Sequence, residues 1–246
     1  RFQVGERVSG SSAFAMGAYQ EFVALSETAA ISPIPPELSY AEVVGIPTGG
    51  FNGLHFVRQC ALQPGEHVLI NGAAGSIGMF AVQIAKQAGA LVTAVDHGDK
   101  HAMLRELGAD HLLDYTVKDF WVTNQRYDAI IDIVGNVPVA GAAAILNDGG
   151  RLMLGNPKAG QVVAGIAENR KKRVRVLFKL AGEPLEDLDW LKSQVVENKL
   201  NMVIDRRFPL AALAEAHRYV DSGQKTGVVV IDVSGAADTR DAAPPA

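Results

Sequence analysis

The segment Val68-Leu69-Ile70-Asn71-Gly72-Ala73-Ala74-Gly75-Ser76-Ile77-Gly78 constrains the fold of this chain more than any other. A short apolar run is followed by a glycine-rich turn, after which Ile77, Ala81, Ile84, Ala85 and Ala88 recur at helical spacing. Strand, turn and helix joined this tightly open a βαβ unit, and the texture repeats downstream. Residues 91–95 read as a second strand, 100–107 as a helix, 111–113 as a short strand and 129–134 as a strong one. Further strands are expected at 151–154, after Gly149-Gly150, and at 174–177, with a helical stretch at 162–171 between them. Strands alternating with helices imply an α/β protein with a doubly wound parallel sheet, the Rossmann arrangement.

The flanks have a different texture. Residues 1–45 alternate short apolar runs with turn residues, at Glu6-Arg7-Val8 and Gly17-Ala18-Tyr19-Gln20-Glu21-Phe22-Val23, then reach the prolines 33, 35 and 36; this is β-rich material. A helix at 51–59 ends near Pro64-Gly65 and hands over to the first strand of the sheet. After Gly182 come a helix at 187–197, an apolar run at 202–204, a helix at 210–220 and a strand at 228–233, a return to the first region. Residues 234–246 are small, polar and proline-containing, and are expected to be disordered. The expected divisions are thus 1–45, 46–182, 183–233 and 234–246. The chain opens at Arg1-Phe2-Gln3, without Met and in what reads as the middle of a domain, so an N-terminal truncation is expected.

A net charge of −4, with acids and bases both plentiful, creates no field that would collect a polyanion. Nucleic acid is not an expected partner: the basic run Arg170-Lys171-Lys172-Arg173 with Arg175 has no aromatic residue interleaved and reads as a solvated helix end. No apolar run reaches the ~18 residues that span a bilayer, and neither a membrane partner nor a signal peptide is expected. The single cysteine, Cys60, excludes an intrachain disulfide and sits in an apolar-periodic stretch as a small buried side chain. A reducing, cytoplasmic setting is expected. The histidines at 55, 67, 97, 101, 111 and 217 show no ligand spacing; His97 and His101, at i and i+4, can share a helix face but lack a third ligand, so no metal is expected.

The glycine turn carries the chemistry. Backbone N–H groups at the start of a helix face outward with the positive end of the helix dipole, so a pyrophosphate can approach wherever no Cβ stands in the way. Gly75 permits that approach, Gly72 makes the tight turn, Gly78 lets the helix lie close to the sheet, and Ala74, Ser76 and Ile77 complete the cradle. The spacing G-x-x-G-x-x-G is not the commoner G-x-G-x-x-G, and a tight strand-to-helix turn without a ligand is the alternative. Asp96 ends the second strand about 20 residues on, where an acid accepts from the adenosine ribose hydroxyls and favours NAD. Lys100 and Tyr115 offer a cation and a phenol to a 2′-phosphate, although one also reads as an exposed helix-start lysine and the other as a ring capping the sheet edge. The preference between NADH and NADPH stays open.

Together with Gly5-Glu6-Arg7-Val8, the 17–23 segment, Leu107-Gly108-Ala109-Asp110-His111 and Lys225-Thr226-Gly227-Val228-Val229, the glycine turn makes residues 2–233 resemble the zinc-independent, quinone oxidoreductase-like branch of the medium-chain dehydrogenase/reductase superfamily. The resemblance implies a GroES-like β-domain assembled from both chain ends, here a remnant, around the Rossmann domain. It places the turns Val134-Gly135-Asn136 and Leu154-Gly155-Asn156 beside the nicotinamide, and Lys225 and Thr226 near the cofactor cleft. Thr48, after Pro47, either bonds the cofactor or caps a helix. The strand Val174-Arg175-Val176-Leu177 is the implied homodimer edge. The implied activity is NAD(P)H-dependent reduction of an electrophilic small molecule, a quinone or α,β-unsaturated carbonyl, whose conjugation spreads the developing charge without a metal. No residue stands out as a general acid, and none is assigned as catalytic. An enoyl-thioester reductase and a non-catalytic dinucleotide-binding protein are the alternatives.

Overall fold

The computed structural model describes residues 1–12 and 16–233. In chain order the elements are β1 (Val8–Gly10), β2 (Ile31–Pro33), α1 (Tyr40–Val43), α2 (Phe51–Cys60), β3 (His67–Asn71), α3 (Gly78–Gln87), β4 (Leu91–Asp96), α4 (His101–Glu106), β5 (His111–Asp114), β6 (Tyr127–Asp132), α5 (Val139–Ile145), β7 (Leu146–Leu154), α6 (Ala159–Arg170), β8 (Arg175–Leu177), α7 (Leu185–Val196), β9 (Ile204–Pro209), α8 (Leu213–Asp221) and β10 (Val228–Asp232). Two compact units emerge, Asn52–Gly182 on the one hand and Arg1–Phe51 with the described residues from Glu183 onward on the other. The expected disordered tail lies outside the described residues.

The Asn52–Gly182 unit holds a six-stranded sheet in the order β5-β4-β3-β6-β7-β8. Every neighbouring pair is parallel. Strands that run parallel need crossovers, and the helices α3 to α6 provide them, covering the sheet and burying its central strands. That is why β3 reads as an unbroken apolar run rather than an alternation: Val68, Leu69 and Ile70 are all wholly buried. The chain winds outward from β3 through β4 to β5, then returns to the other side of β3 with β6, so the strand order reverses between β3 and β6. This is the doubly wound sheet expected from the alternation of elements. Across its base, the buried Arg151 donates through Nε to Cys60 O at 2.8 Å and forks onto both carboxylate oxygens of Glu66. That guanidinium, through the hydrogen bonds it donates, holds the Glu66 carboxyl below the usual range.

Several element boundaries differ from expectation, each for a local reason. Helix α5 carries Val139, Ala142, Ala143 and Ile145 as buried residues in an almost wholly apolar stretch, which has no polar face to reveal a helical period. Strand β7 begins at Leu146 and runs through Gly149-Gly150, with its register to β6 interrupted between Tyr127 and Ala129, so the glycines bulge within a strand instead of preceding one. His97 does not share a helix face with His101. It precedes a short 3₁₀ turn, Gly98–Lys100, and its Nδ1 accepts from Asp99 N at 3.3 Å.

In the other unit β1 and β2 pair antiparallel, and β9 and β10 pair parallel. The apolar run at 202–204 leads into a strand that starts at Ile204, extends to Pro209 and pairs with β10. No strand forms at 17–23 despite its apolar alternation: Phe22 is 88% and Tyr19 54% exposed, and alternation makes a strand only where a neighbour takes the hydrogen bonds. Thr48 lies inside a π-helical turn, Ile46–Gly50, whose N-terminal flanking residue is Gly45, so it is not a helix cap. Lys192 on α7 ties that helix to β2: it is 2% exposed, and its Nζ donates to Ser32 O at 2.9 Å, Ser32 Oγ at 2.8 Å and Pro33 O at 3.0 Å.

Burial disfavours the charged ammonium and brings Lys192 down to about 8. Below that pH the lysine is charged in folded and unfolded chains alike; between pH 8 and the free-lysine value of 10.5 the unfolded chain binds more protons, so stability attributable to Lys192 rises. In a pH series of thermal melts, the stability of the parent relative to Lys192→Met is expected to increase across that window and to be flat below it.

Candidate dinucleotide site

Residues 72–77 join the carboxyl end of β3 to α3, and the geometry there distinguishes the three glycines. Gly72 has φ +81°, a left-handed conformation, and donates to Val95 O at 3.1 Å, folding the turn back over β4. A Cβ on Gly78 would strike the carbonyl groups of Gly72 and Ala73, so only hydrogen fits there. Gly75 differs from both. Its backbone has no positive φ, and a Cβ would meet only Gly72 O, at an ordinary contact distance of 3.4 Å. Nothing in the folded protein demands a glycine at position 75; an approaching ligand would.

Within the turn, Gly75 N donates to Gly72 O at 3.2 Å and Ala74 N to Asp96 Oδ2 at 2.9 Å, while the N–H groups of Ser76, Ile77 and Gly78 have no hydrogen-bond acceptor among the described residues. They are the orphan donors of the first turn of a ten-residue helix, at its positive end. A partly exposed surface with several such N–H groups and no side chain in front of Gly75 fits a pyrophosphate.

Asp96 is 5% exposed and already engaged: Oδ2 takes the Ala74 N–H, while Oδ1 takes the His97 N–H at 2.9 Å and pairs with Lys100 Nζ at 3.2 Å. The acid therefore first holds the turn in shape, and Lys100, itself mostly buried, balances its charge. Asp114 at the end of β5 accepts from Gly98 N at 3.0 Å and from the Thr116 hydroxyl and amide, which together keep its carboxyl below the usual range. Tyr115 follows it, half exposed, with its ring edge-on to His97 at 6.3 Å.

At the far side of the switch point, Val134 is 48% exposed and Gly135 is buried with its N–H on Asp132 Oδ1 at 3.1 Å. Leu154 is buried, and Gly155 N donates to Asp132 O at 2.8 Å. The structure thus places the expected residues from 72 to 155 at, or in the segments that follow, the carboxyl ends of β3, β4, β5, β6 and β7. Thr48 and Lys225 belong to the other unit, where Lys225 Nζ donates to Gly227 O at 2.9 Å. Two residues at this edge escape a motif-based reading, Asn71 and Asp132: each is the polar last residue of its strand, directly after three buried apolar ones, a visible signal at a strand's carboxyl end.

The two kinds of glycine separate experimentally. Gly75→Val is expected to melt within a few degrees of the parent yet lose dinucleotide binding, whereas Gly78→Ala is expected to lose about 1–3 kcal/mol of stability through overpacking against backbone. Chemical denaturation and calorimetric titration of the two variants check both statements.

A profile described as "Zinc-binding dehydrogenase" matches residues 107–231. Among curated proteins, the chain is 28% identical to the chloroplastic quinone-oxidoreductase QR1 of Triphysaria versicolor over 94% of its own length and 74% of that protein's. Among solved structures, it resembles a quinone oxidoreductase from Coxiella burnetii with TM-score 0.77 and 31% identity, covering 82% of this chain and 64% of that one. An NAD-dependent alcohol dehydrogenase matches with TM-score 0.77 and 28% identity, over 88% of this chain and 65% of the other. This chain thus spans just under two thirds of each of these solved relatives. The described residues do not fit the zinc of the profile's description: no group of three or more His, Cys, Asp or Glu side chains among them can hold a metal. The one cysteine is wholly buried, with its thiol pushed up to about 12. With a profile match over half of its length and relatives that repeat its fold, this chain belongs to the zinc-binding dehydrogenase family, as a quinone oxidoreductase-like member of the medium-chain dehydrogenase/reductase superfamily.

Proposed function

We propose that this chain binds a nicotinamide dinucleotide at the glycine turn and serves an NAD(P)H-dependent reduction of a quinone or an α,β-unsaturated carbonyl. The observation that carries it is the combination at residues 75–78: backbone N–H groups at a helix start with no acceptor among the described residues, and a glycine whose missing side chain none of those residues requires. The quinone oxidoreductases among its relatives support the substrate class, and the NAD-dependent relative supports the cofactor.

A bound nicotinamide would supply the hydride, leaving the chain to bind, orient and shield. Ser76, Ile77 and Gly78 would hold the pyrophosphate by backbone donation, and the Asp96–Lys100 pair would meet the adenosine ribose. A conjugated acceptor suits such a site, since its own π-system spreads the charge it gains and no Lewis acid is demanded of the protein. Thr48 and Lys225 are proposed to contribute to the cofactor cleft. We also place a homodimer contact at β8, the last strand of the sheet: Val163 and Ile166 on α6 and Leu180 beyond β8 present 68%, 45% and 80% of their surface.

The test is the affinity of NADH and NADPH side by side, read from the emission of the reduced nicotinamide. Because Lys100 offsets the Asp96 charge, the two are expected to bind within about tenfold of each other, ~1.4 kcal/mol. Lys100→Met leaves Asp96 to repel a 2′-phosphate and is expected to weaken NADPH by about tenfold relative to NADH. Failure of the parent protein to bind either overturns the cofactor assignment.

A further inference from the structure

Asp132 is an acidic residue with no surface exposure at all, at the carboxyl end of β6. Its Oδ1 accepts from Asn71 Nδ2 at 2.8 Å and from Gly135 N at 3.1 Å, and its Oδ2 faces Val137 N at 3.4 Å. Its own carbonyl accepts from Gly155 N at 2.8 Å. One residue therefore gathers the ends of β3 and β6, the turn that follows β6 and the start of the turn that follows β7. The Asn71 amide spends its second hydrogen on the turn as well, donating to Asn136 Oδ1 at 2.9 Å, and Asn71 O accepts from Ile133 N at 3.1 Å.

The place of this cluster matters as much as its bonds. β3 and β6 are the neighbours between which the strand order reverses, and at such a switch point the loops from the two strands part to leave a crevice at the carboxyl edge. The Asn71–Asp132 hydrogen bond spans the two strands at that edge. A carboxylate is an expensive group to bury, and every partner of this one is a neutral donor. What the arrangement secures is the turn 133–137, whose N–H groups at 135 and 137 are drawn inward while Val134 and Asn136 remain at the surface.

We propose that Asp132 is a positioning residue of the dinucleotide site: with Asn71 it fixes the backbone of the turn 133–137 so that this turn receives the nicotinamide end of the cofactor, while the glycine turn and the Asp96–Lys100 pair receive the ADP-ribose end. This rests on the cofactor assignment made above, and it divides the binding energy between two turns that can be measured separately.

ADP-ribose, which lacks the nicotinamide, reports on the glycine turn, and NADH reports on both. Asp132→Asn keeps the volume but turns one acceptor into a donor facing other donors. In calorimetric titrations it is expected to hold ADP-ribose within about twofold of the parent and to weaken NADH by about tenfold or more, the scale of a lost hydrogen bond to a charged acceptor. An equal loss for both ligands, or no loss for NADH, overturns the proposal. Should Asp132→Asn fail to fold, Asn136→Ala reaches the same network from the exposed side of the turn and is expected to weaken NADH at least about threefold with ADP-ribose unchanged; unchanged NADH affinity there overturns it. Failure of the parent protein to bind ADP-ribose and NADH overturns the cofactor assignment itself, and the proposal with it.

Discussion

Gly78 sits against the carbonyl groups of Gly72 and Ala73, and that contact permits no atom beyond hydrogen. Because the backbone can approach itself so closely, the turn 72–77 folds tightly between the end of β3 and the start of α3, and α3 runs back along the sheet it covers. The same closeness leaves the first N–H groups of α3 at the carboxyl edge with nothing in front of them, since Gly75 has no side chain. The helix that screens the sheet and the donor cradle above it share one close backbone packing that a single methyl group would strain.

Around that contact two buried acids accept from backbone N–H groups. Asp96 takes the Ala74 amide and Asp132 the Gly135 amide, so an acid at the end of β4 shapes the first turn and an acid at the end of β6 shapes another. Of the two, only Asp96 has a cation within ion-pair distance among the described residues, Lys100. At the opposite edge, the Arg151–Glu66 fork and the Arg151 bond to Cys60 O tie α2, β3 and β7 together, far from the turns. Stability and site thus occupy opposite ends of the strands, as loops at one edge of a rigid sheet can vary while the other edge holds.

The order of strands and helices in the sheet was legible from residues 68–177 because the central strands there are buried on both faces and each crossover helix but one has a polar side. Helix α5 was not legible, its residues being apolar all round, and neither was the lack of a strand at 17–23, where local alternation is right but a partner edge is missing. The glycine turn was readable as a unit, yet its three glycines looked alike; only coordinates separate Gly72, held by a left-handed φ, from Gly78, held by contact, and from Gly75, held by neither.

By itself, the sequence determined the winding of the sheet, the place of the turn and the candidate residues along one edge, because periodicity, burial and glycine spacing are local properties of the chain. Only the tertiary structure decided what the acids do. That Asp96 is spoken for by Ala74, His97 and Lys100, and that Asn71 and Asp132 meet although 61 positions apart, depends on which strands become neighbours at the switch point, a relation carried by the packing of the whole sheet and by no single segment.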